Sequence, residues 1–277
     1  MLPGGGSNPL THSREQPAAF QVGLPDGVTL PFSIIGPDFA PLRLVVGHGL
    51  GEPPSTKTHL DDVATTVVEQ ALSMLQPPEL GPGESAPGAC RALAYTARGH
   101  GKSRGWKAAA KREEHNTFLW DRLSADMLQV AYSHGLDKFI AVGQSMGGAS
   151  ALYAALQAPD RVAALVVMRP PTCGETRVER RAQMLRAADK LRVDGSDGDA
   201  TVLAGAAAAD LDCAAFAALR CPVLILAHGA DDGHPLSTAR QLRAAIGETA
   251  RLEEAADLDA AKEAWPAALA GFLRGLP

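Results

Sequence analysis

The chain has 277 residues, 46% of them apolar, and a formal net charge of −5. This length and apolar content allow a sizeable folded core and exclude a largely disordered chain. Acidic and basic residues are interspersed, so neither a nucleic-acid surface nor a basic membrane-binding patch is indicated. No apolar run approaches the ~20 residues that a transmembrane helix needs.

The N-terminal segment is rich in Gly, Pro and Ser and has no apolar stretch typical of a signal peptide. We therefore expect a flexible tail over residues 1–18, a single domain over 19–277, and a cytoplasmic protein. None of the cysteines forms a C-x-x-C pair, and none has histidines at metal-ligand spacing. We expect free thiols in a reducing compartment, with no metal and no cofactor. The cysteines are Cys90, Cys173, Cys213 and Cys221.

Strand and helix patterns alternate along the domain, beginning with two strands joined by a Pro-Asp-Gly turn at 25–27. Such alternation predicts a mostly parallel sheet covered by helices on both faces. The predicted strands are 19–24, 28–35, 42–46, 92–96, 139–142, 162–167, 223–227 and 250–254. The predicted helices are 58–75, 117–133, a helix directly after Ser145, 236–246 and 258–273.

Two stretches interrupt this alternation. Residues 76–88 carry repeated Pro and Gly, which predicts an inserted surface loop. Residues of about 170–219 contain helical stretches at 178–190, 201–209 and 214–219 but no strand pattern. Because this block is only about fifty residues long, we expect it to form no independent domain.

The sequence Val-Gly-Gln-Ser-Met-Gly-Gly begins at Val142 and has the form G-x-S-x-G. An apolar strand precedes it and helical periodicity follows it, so the pattern predicts a sharp turn between a strand and a helix. Such a turn strains its central residue and raises the hydroxyl of Ser145 above the sheet. Gly143 and Gly147 are needed because a Cβ at either position would collide across the turn.

Two further motifs accompany this turn, the H-G-x-G stretch from His48 to Gly51 and the R-G-x-G-x-S stretch from Arg98 to Ser103. Together the three motifs resemble those of the α/β-hydrolase superfamily, and the resemblance covers about residues 19–276. It implies a mostly parallel eight-stranded sheet flanked by helices, in which the helical block of about 170–219 is a small lid. Within the superfamily the motifs are most similar to those of small esterases, enol-lactone hydrolases and cofactor-free haloperoxidase-like proteins.

The resemblance also implies an oxyanion hole, which stabilises the negative charge that develops on a substrate carbonyl. Its two donors would be the backbone N–H groups of Leu50 and Met146. His48 and Gly49 belong to the same loop and are expected beside the substrate. Arg169 follows the 162–167 strand, where its guanidinium could hold a substrate carboxylate or tie down the lid.

A carboxylate is expected after the 223–227 strand, where it would orient the catalytic base. The sequence offers Asp231 and Asp232, followed by Pro235. Counting back from the proline favours Asp231 and counting forward from Gly229 favours Asp232, so both are retained.

The base departs from the family pattern, because the chain has no histidine after His234. In one explanation, His234 acts from the acid loop and is oriented by Asp231 or by an acid near the usual histidine position, Asp257 or Asp259. In a second explanation His48 reaches Ser145. In a third, the protein is a degenerate hydrolase without serine chemistry.

The first hypothesis is therefore a serine hydrolase of a small ester or lactone, acting through an acyl-enzyme at Ser145 with His234 as a non-standard base. The alternative is a hydrolase-fold protein that binds a small ligand or catalyses a non-hydrolytic lyase or cyclase step. Either protein would take a small molecule, with no nucleic-acid or membrane partner, and would be a monomer or homodimer.

Overall fold

The computed structural model describes residues 20–38, 40–75, 89–112 and 116–277. The expected tail at 1–18 and the expected inserted loop at 76–88 lie outside the described residues and remain predictions. Among the described residues, no helix combines the length and the apolar character needed to cross a membrane.

The described strands form one sheet in the order β1-β2-β4-β3-β5-β6-β7-β8. β1 and β2 form a hairpin, and β2 runs antiparallel to β4. Every later pair is parallel, from β3–β4 to β7–β8. The strands are β1 Phe20–Gly23, β2 Thr29–Ile35, β3 Leu42–Gly47, β4 Arg91–Tyr95, β5 Phe139–Gln144, β6 Val162–Met168, β7 Val223–His228 and β8 Ala250–Ala255.

Helices flank this sheet, and the predicted fold class is confirmed. The short helix α2 was not predicted, because its seven residues show no helical periodicity of apolar residues. The helices are α1 Val63–Met74, α2 Trp106–Arg112, α3 Trp120–Ser133, α4 Met146–Gln157, α5 Gly174–Val193, α6 Asp197–Ala208, α7 Leu236–Ile246 and α8 Leu258–Arg274. Short 3₁₀ helices lie at Pro54–Thr56, His59–Asp61 and Cys213–Ala218.

The central strands bury apolar side chains on both faces, as expected for parallel strands between two helical layers. In β5, Phe139 and Ala141 belong to the core beneath α3, α4 and α7. Ile140 and Val142 face the opposite core, with side chains from α1 and α8. Full burial of one such apolar side chain contributes roughly 1.5–3 kcal/mol, so the alternation holds each strand in register.

The parallel strands β3, β5, β6 and β7 are consecutive neighbours in the sheet. The loops that follow them therefore leave the sheet at one edge, where ligands bind in open α/β sheets. These loops carry Gly49, Ser145, Arg169 and Asp231, which are far apart in the sequence. The order of the strands alone thus places the candidate residues close together at this edge of the sheet.

The helical lid, defined here as α5 and α6 with the turn between them, follows β6. The two helices share a small apolar core that includes Met184 and Leu203. The lid is also held to the loop after β3, because Asp199 accepts hydrogen bonds from the backbone N–H and hydroxyl of Ser55 at 2.8 and 2.7 Å.

Candidate active site

Ser145 lies at the turn between β5 and α4 and has φ 51° and ψ −113°. A positive φ is unusual for a residue with a side chain and marks local backbone strain. Its backbone N–H donates to the carbonyl of Met168 in the neighbouring strand β6, at 2.9 Å. The surrounding sheet thus stabilises the strained turn that directs the hydroxyl outward.

Glycine is required on both sides of this serine because the backbone passes close to itself. A Cβ on Gly143 would lie 2.2 Å from the carbonyl of Gly147, and a Cβ on Gly147 would lie 2.1 Å from the carbonyl oxygen of Gly47. Contacts this short would force the backbone apart. The G-x-S-x-G spacing therefore reflects close packing of the turn against the end of β3.

The loop after β3 approaches the same turn, and His48 supports it from behind. The buried His48 ring accepts a hydrogen bond at Nε2 from the backbone N–H of Ala97, at 2.9 Å. Nδ1 therefore carries the hydrogen and donates to the carbonyl of Gly49, at 2.7 Å. Burial lowers the pKa of His48 to about 4, so the ring is neutral.

Both nitrogens of His48 are thus occupied by backbone groups, which favours a supporting role over the role of base considered from the sequence. Its carbonyl accepts the N–H of Gly147 at 3.0 Å, which joins the loop to the start of α4. Gly49 lies close enough that a Cβ placed on it would be 3.6 Å from the Cβ of Ser145.

His234 is the histidine that the structure brings to Ser145. Its Nε2 atom lies 2.7 Å from the Ser145 hydroxyl oxygen. Its Nδ1 atom lies 3.1 Å from each carboxylate oxygen of Asp231. Serine, histidine and aspartate thus form one continuous hydrogen-bonded chain, although the histidine and the acid belong to a single loop after β7.

Asp231 is fixed in this position by its own loop. Its Oδ1 atom accepts the backbone N–H groups of Gly233 and His234, each at 3.1 Å. The carboxylate side chain is 7% exposed. These two hydrogen bonds form a short Asx-type turn, which positions the carboxylate beside the imidazole.

Arg169 contributes a partner that sequence reasoning did not foresee. Its Nε atom donates to Asp231 Oδ2 at 2.6 Å, so the guanidinium contacts the acid directly. Like Ser145, Arg169 has a positive φ, 47°, at the end of its strand. This contact joins Arg169 to the acid loop, and the two roles considered from the sequence remain predictions.

The charges set the protonation of this chain of residues. Burial opposes ionisation of Asp231, but hydrogen bonds from His234 and Arg169 outweigh it and hold the pKa of the carboxyl well below its usual range. Burial is also the largest influence on His234; although Asp231 opposes it, the pKa of the imidazole falls below 6.5. At neutral pH the site thus holds an ionised acid beside a neutral imidazole.

The other acids considered as partners lie outside this chain of hydrogen bonds. Asp232 is exposed, on the solvent side of the same loop. Asp257 accepts the N–H of Ala260 at 2.9 Å and caps α8. Asp259 pairs with Lys262 at 3.5 Å on the surface of α8.

A second histidine adjoins the acid from beneath. His228, at the end of β7, is buried, and its Nε2 lies 3.4 Å from Asp231 Oδ2. Burial is the largest cause that lowers the pKa of His228. The centres of the His228 and Trp265 rings lie 6.1 Å apart. His228 thus belongs to the buried layer that supports the acid loop.

A cavity of about 260 Å³ opens above Ser145. This is slightly smaller than a typical pocket for a drug-sized ligand and suits a small molecule. Both expected oxyanion residues, Leu50 and Met146, line it together with Ser145 and His234. The remaining lining residues are Glu52, Trp120, Pro171, Thr172, Arg177, Arg180, Met184 and Gly233.

The lid contributes cationic groups to this cavity through α5. Arg177 is buried and donates to the carbonyls of Ala206 and Ala209 at the end of α6, with Nε 2.8 Å from the latter oxygen. Its guanidinium also lies 5.7 Å from the centre of the Trp120 ring. Burial lowers the pKa of Arg177 to about 10, so the group stays charged at neutral pH.

Sequence comparison identifies the family of the chain. The family model described as alpha/beta hydrolase fold matches residues 46–212, which is more than half of the chain. The protein is therefore a member of the α/β-hydrolase family. A comparison with curated proteins finds no match.

Several solved structures share the fold at low sequence identity. A hydrolase from Pseudomonas aeruginosa PA01 is 21% identical with a TM-score of 0.65, covering 93% of this chain and 98% of its own. The enol-lactonase from Burkholderia xenovorans LB400 is 18% identical with a TM-score of 0.62, covering 89% and 97%. A thermophilic esterase from Thermogutta terrifontis is 19% identical with a TM-score of 0.63, covering 93% and 99%.

Proposed function

We propose that the protein is a serine hydrolase that acts on a small ester or lactone, with Ser145 as nucleophile, His234 as base and Asp231 as the residue that orients the base. The observation that carries the proposal is the 2.7 Å contact between Ser145 Oγ and His234 Nε2, continued to Asp231 at 3.1 Å. Similarity to an esterase and an enol-lactonase agrees with this substrate class.

The protonation states support proton transfer in the required direction. Ionised Asp231 can only accept hydrogen bonds, so Nδ1 of His234 carries the hydrogen and Nε2 is left with a free lone pair. That lone pair faces the Ser145 hydroxyl. His234 would take the hydroxyl proton as Ser145 Oγ attacks the substrate carbonyl carbon.

The resulting tetrahedral intermediate would carry its negative charge beside the backbone N–H groups of Leu50 and Met146. Met146 begins α4, where the helix dipole also favours a negative charge. His234 would then protonate the leaving oxygen, which releases the alcohol, or opens the ring of a lactone. A water molecule activated by the same imidazole would cleave the acyl-enzyme and regenerate Ser145.

The placement of the base on the acid loop accounts for the lack of a histidine after the last strand. Asp257, near the position where the family pattern has its histidine, caps α8 instead. In the proposed mechanism a single loop supplies both the base and the acid, and the loop after β8 supplies neither.

A fluorophosphonate probe tests the proposal, because it labels only an activated serine. We expect the wild-type protein to be labelled at Ser145, and Ser145→Ala and His234→Ala to lose labelling. Turnover of small esters and lactones by the wild-type protein should fall by about 10⁴-fold or more in either variant. Thermal unfolding of each variant would verify that the fold is intact.

Labelling that persists in His234→Ala would assign the base to another group and contradict the proposed mechanism. A wild-type protein that is neither labelled nor active on any ester or lactone would contradict the hydrolase proposal itself. In that case the alternative, ligand binding or a lyase or cyclase step, would be tested by ligand-induced thermal stabilisation in Ser145→Ala.

A further inference from the structure

Two cysteines lie side by side at the base of the lid, away from the proposed catalytic residues. The sulfur atoms of Cys173 and Cys213 are 3.1 Å apart, and neither is in a disulfide. A disulfide places its sulfurs about 2.05 Å apart, so these two sulfurs would have to move about 1 Å closer. The two residues are therefore already paired in space.

The two cysteines flank the lid in the sequence. Cys173 directly precedes α5, and Cys213 begins the 3₁₀ helix that follows α6. The 39 residues between them, 174–212, contain the whole lid. A bond between the two sulfurs would therefore join the entry and the exit of the lid.

A small oxidant can reach the pair from solvent. Both cysteines line an open cavity of about 460 Å³, which is separate from the cavity above Ser145. Cys213 is partly exposed, whereas Cys173 is buried behind it. Gln241 on α7 accepts a hydrogen bond from Cys173 at 3.1 Å and holds its sulfur beside Cys213.

The surroundings also make the two thiols unequal. The neighbouring Cys213 thiol is the largest cause that lowers the pKa of Cys173, to about 7, and burial opposes it. The pKa of Cys213 is raised, first by the Cys173 sulfur and then by burial. The remaining cysteines are poor thiolates, because burial raises the pKa of Cys221 and raises that of Cys90 to about 11.

We propose that Cys173 and Cys213 form a reversible dithiol–disulfide site, which is oxidised by hydroperoxides and which closes the lid into a covalent loop. This use of cysteine goes beyond the free thiols in a reducing compartment that the sequence predicts. It does not depend on the identity of the substrate.

One hydroperoxide molecule accepts the two electrons that the two thiols lose when they form a disulfide. The Cys173 thiolate attacks the terminal peroxide oxygen and the O–O bond breaks, which leaves Cys173 as a sulfenic acid. The leaving hydroxide or alkoxide takes a proton from solvent and departs as water or an alcohol. The sulfur of Cys213 then attacks the sulfenic sulfur, forms the S–S bond and displaces hydroxide, which the Cys213 proton converts to water. Two equivalents of a low-molecular-weight thiol reduce the disulfide by exchange through a mixed disulfide, and they leave as their own disulfide.

Closing a loop of this length should restrict local opening of the lid. The lid carries arginines on α5, including Arg180 and Arg186, which trypsin can cleave only when the helix opens. We expect the oxidised protein to be cleaved in the lid at least about threefold more slowly. We also expect its melting temperature to rise by roughly 5–10 °C.

The experiment compares two matched variants of the full chain, C90S/C221S, which retains the pair, and C173S/C213S, which lacks it. Each is treated with one equivalent of hydrogen peroxide, and its free thiols and intact mass are measured. We expect C90S/C221S to lose both thiols and ~2 Da and to regain the thiols with dithiothreitol. C173S/C213S should retain both of its thiols.

Peptide mapping of the oxidised wild-type protein, with a cross-link between residues 173 and 213, gives the same test without any substitution. Oxidation of C90S/C221S to sulfinic acid, or retention of both thiols, would overturn the disulfide. A disulfide that changes neither trypsin cleavage nor melting temperature would overturn the effect on the lid. None of these measurements uses a substrate, so their outcome does not depend on the proposed hydrolase activity.

Discussion

Two arginine–aspartate clusters lie at the same edge of the sheet, one after β4 and one after β6, and they do different work. In the first, the guanidinium of Arg98 is fully buried and donates two hydrogen bonds of 2.6 Å to Asp126. It also contacts Thr117 at 2.6 Å and Asp26 at 3.0 Å. The partners that the structure gives this arginine are all side chains of the protein, namely Asp26, Thr117 and Asp126.

The second cluster begins in the same way but ends differently. Arg169 donates to Asp231, and Asp231 in turn holds His234, whose far nitrogen faces the Ser145 hydroxyl in a cavity. Similar residue types therefore form a structural cross-link in one place and a proposed catalytic chain in the other. The difference is that the second cluster ends at Ser145, whose hydroxyl lies in a cavity and can meet a small molecule.

The largest effect on activity is expected when the second cluster loses its negative charge. Asp231→Asn should lower kcat/KM for an ester by about 10³–10⁴-fold, because the amide no longer stabilises the imidazolium that forms during attack. The matched control is Asp232→Asn, whose exposed side chain should change kcat/KM less than twofold, or about 0.4 kcal/mol. Equal losses in the two variants would contradict the assignment of Asp231.

Removing the arginine of the first cluster should affect stability instead. Arg98→Met leaves Asp126 buried without its partner and should lower the free energy of unfolding by about 3–5 kcal/mol, measured by urea denaturation. The double variant R98M/D126L should recover part of this loss, because it removes both charges. A double variant as unstable as the single one would show that the pair itself is not the cause.

The two arginines differ further in their effect on pH dependence. In the proposed mechanism, attack requires neutral His234, so kcat/KM should rise with pH through the pKa of the imidazole, which burial lowers from its ordinary value. The charge of Arg169 lowers that pKa, so Arg169→Gln should move the acid limb to higher pH. The surface variant R240Q should leave the limb in place, and an unmoved limb in R169Q would exclude the proposed coupling.

The smallest effect is expected where the lid meets the loop after β3. Ser55→Ala removes the hydroxyl hydrogen bond to Asp199 and should cost about 1 kcal/mol of stability, with faster protease cleavage of the lid. The backbone N–H of residue 55 still donates to the carboxylate, which limits the loss. Thr56→Ala in the same turn removes only an exposed contact and should have a smaller effect.

Much of the fold could be predicted because its signals are local. The alternation of apolar strands and amphipathic helices led to the correct fold class, and the G-x-S-x-G pattern correctly predicted a turn between β5 and α4. α5 begins at Gly174, earlier than the predicted 178, because its first turn carries polar residues without apolar periodicity. The short helix α2 gave no periodic signal for the same reason.

The arrangement of the site could be predicted only in part. Asp231 and Asp232 are adjacent and chemically identical, so only the three-dimensional turn shows which carboxylate contacts the imidazole. The contact between Arg169 and Asp231 joins residues 62 positions apart and has no local pattern. The strand order nevertheless indicates this contact. Because β6 lies between β5 and β7, the residue after β6 must lie between the loops that carry Ser145 and Asp231.

The location of both His234 and Asp231 on the loop after β7 has a consequence for protein engineering. In the proposed mechanism the loop between β8 and α8 carries no reacting group, and its Ala256 side chain lies at the surface. A peptide or a ligand-responsive module grafted between Ala256 and Asp257 would interrupt neither the serine loop nor the histidine loop, provided that the hydrogen bond from the Gly229 N–H to the Ala255 carbonyl is kept. This last loop is therefore an insertion point that a hydrolase with its histidine after the final strand does not offer.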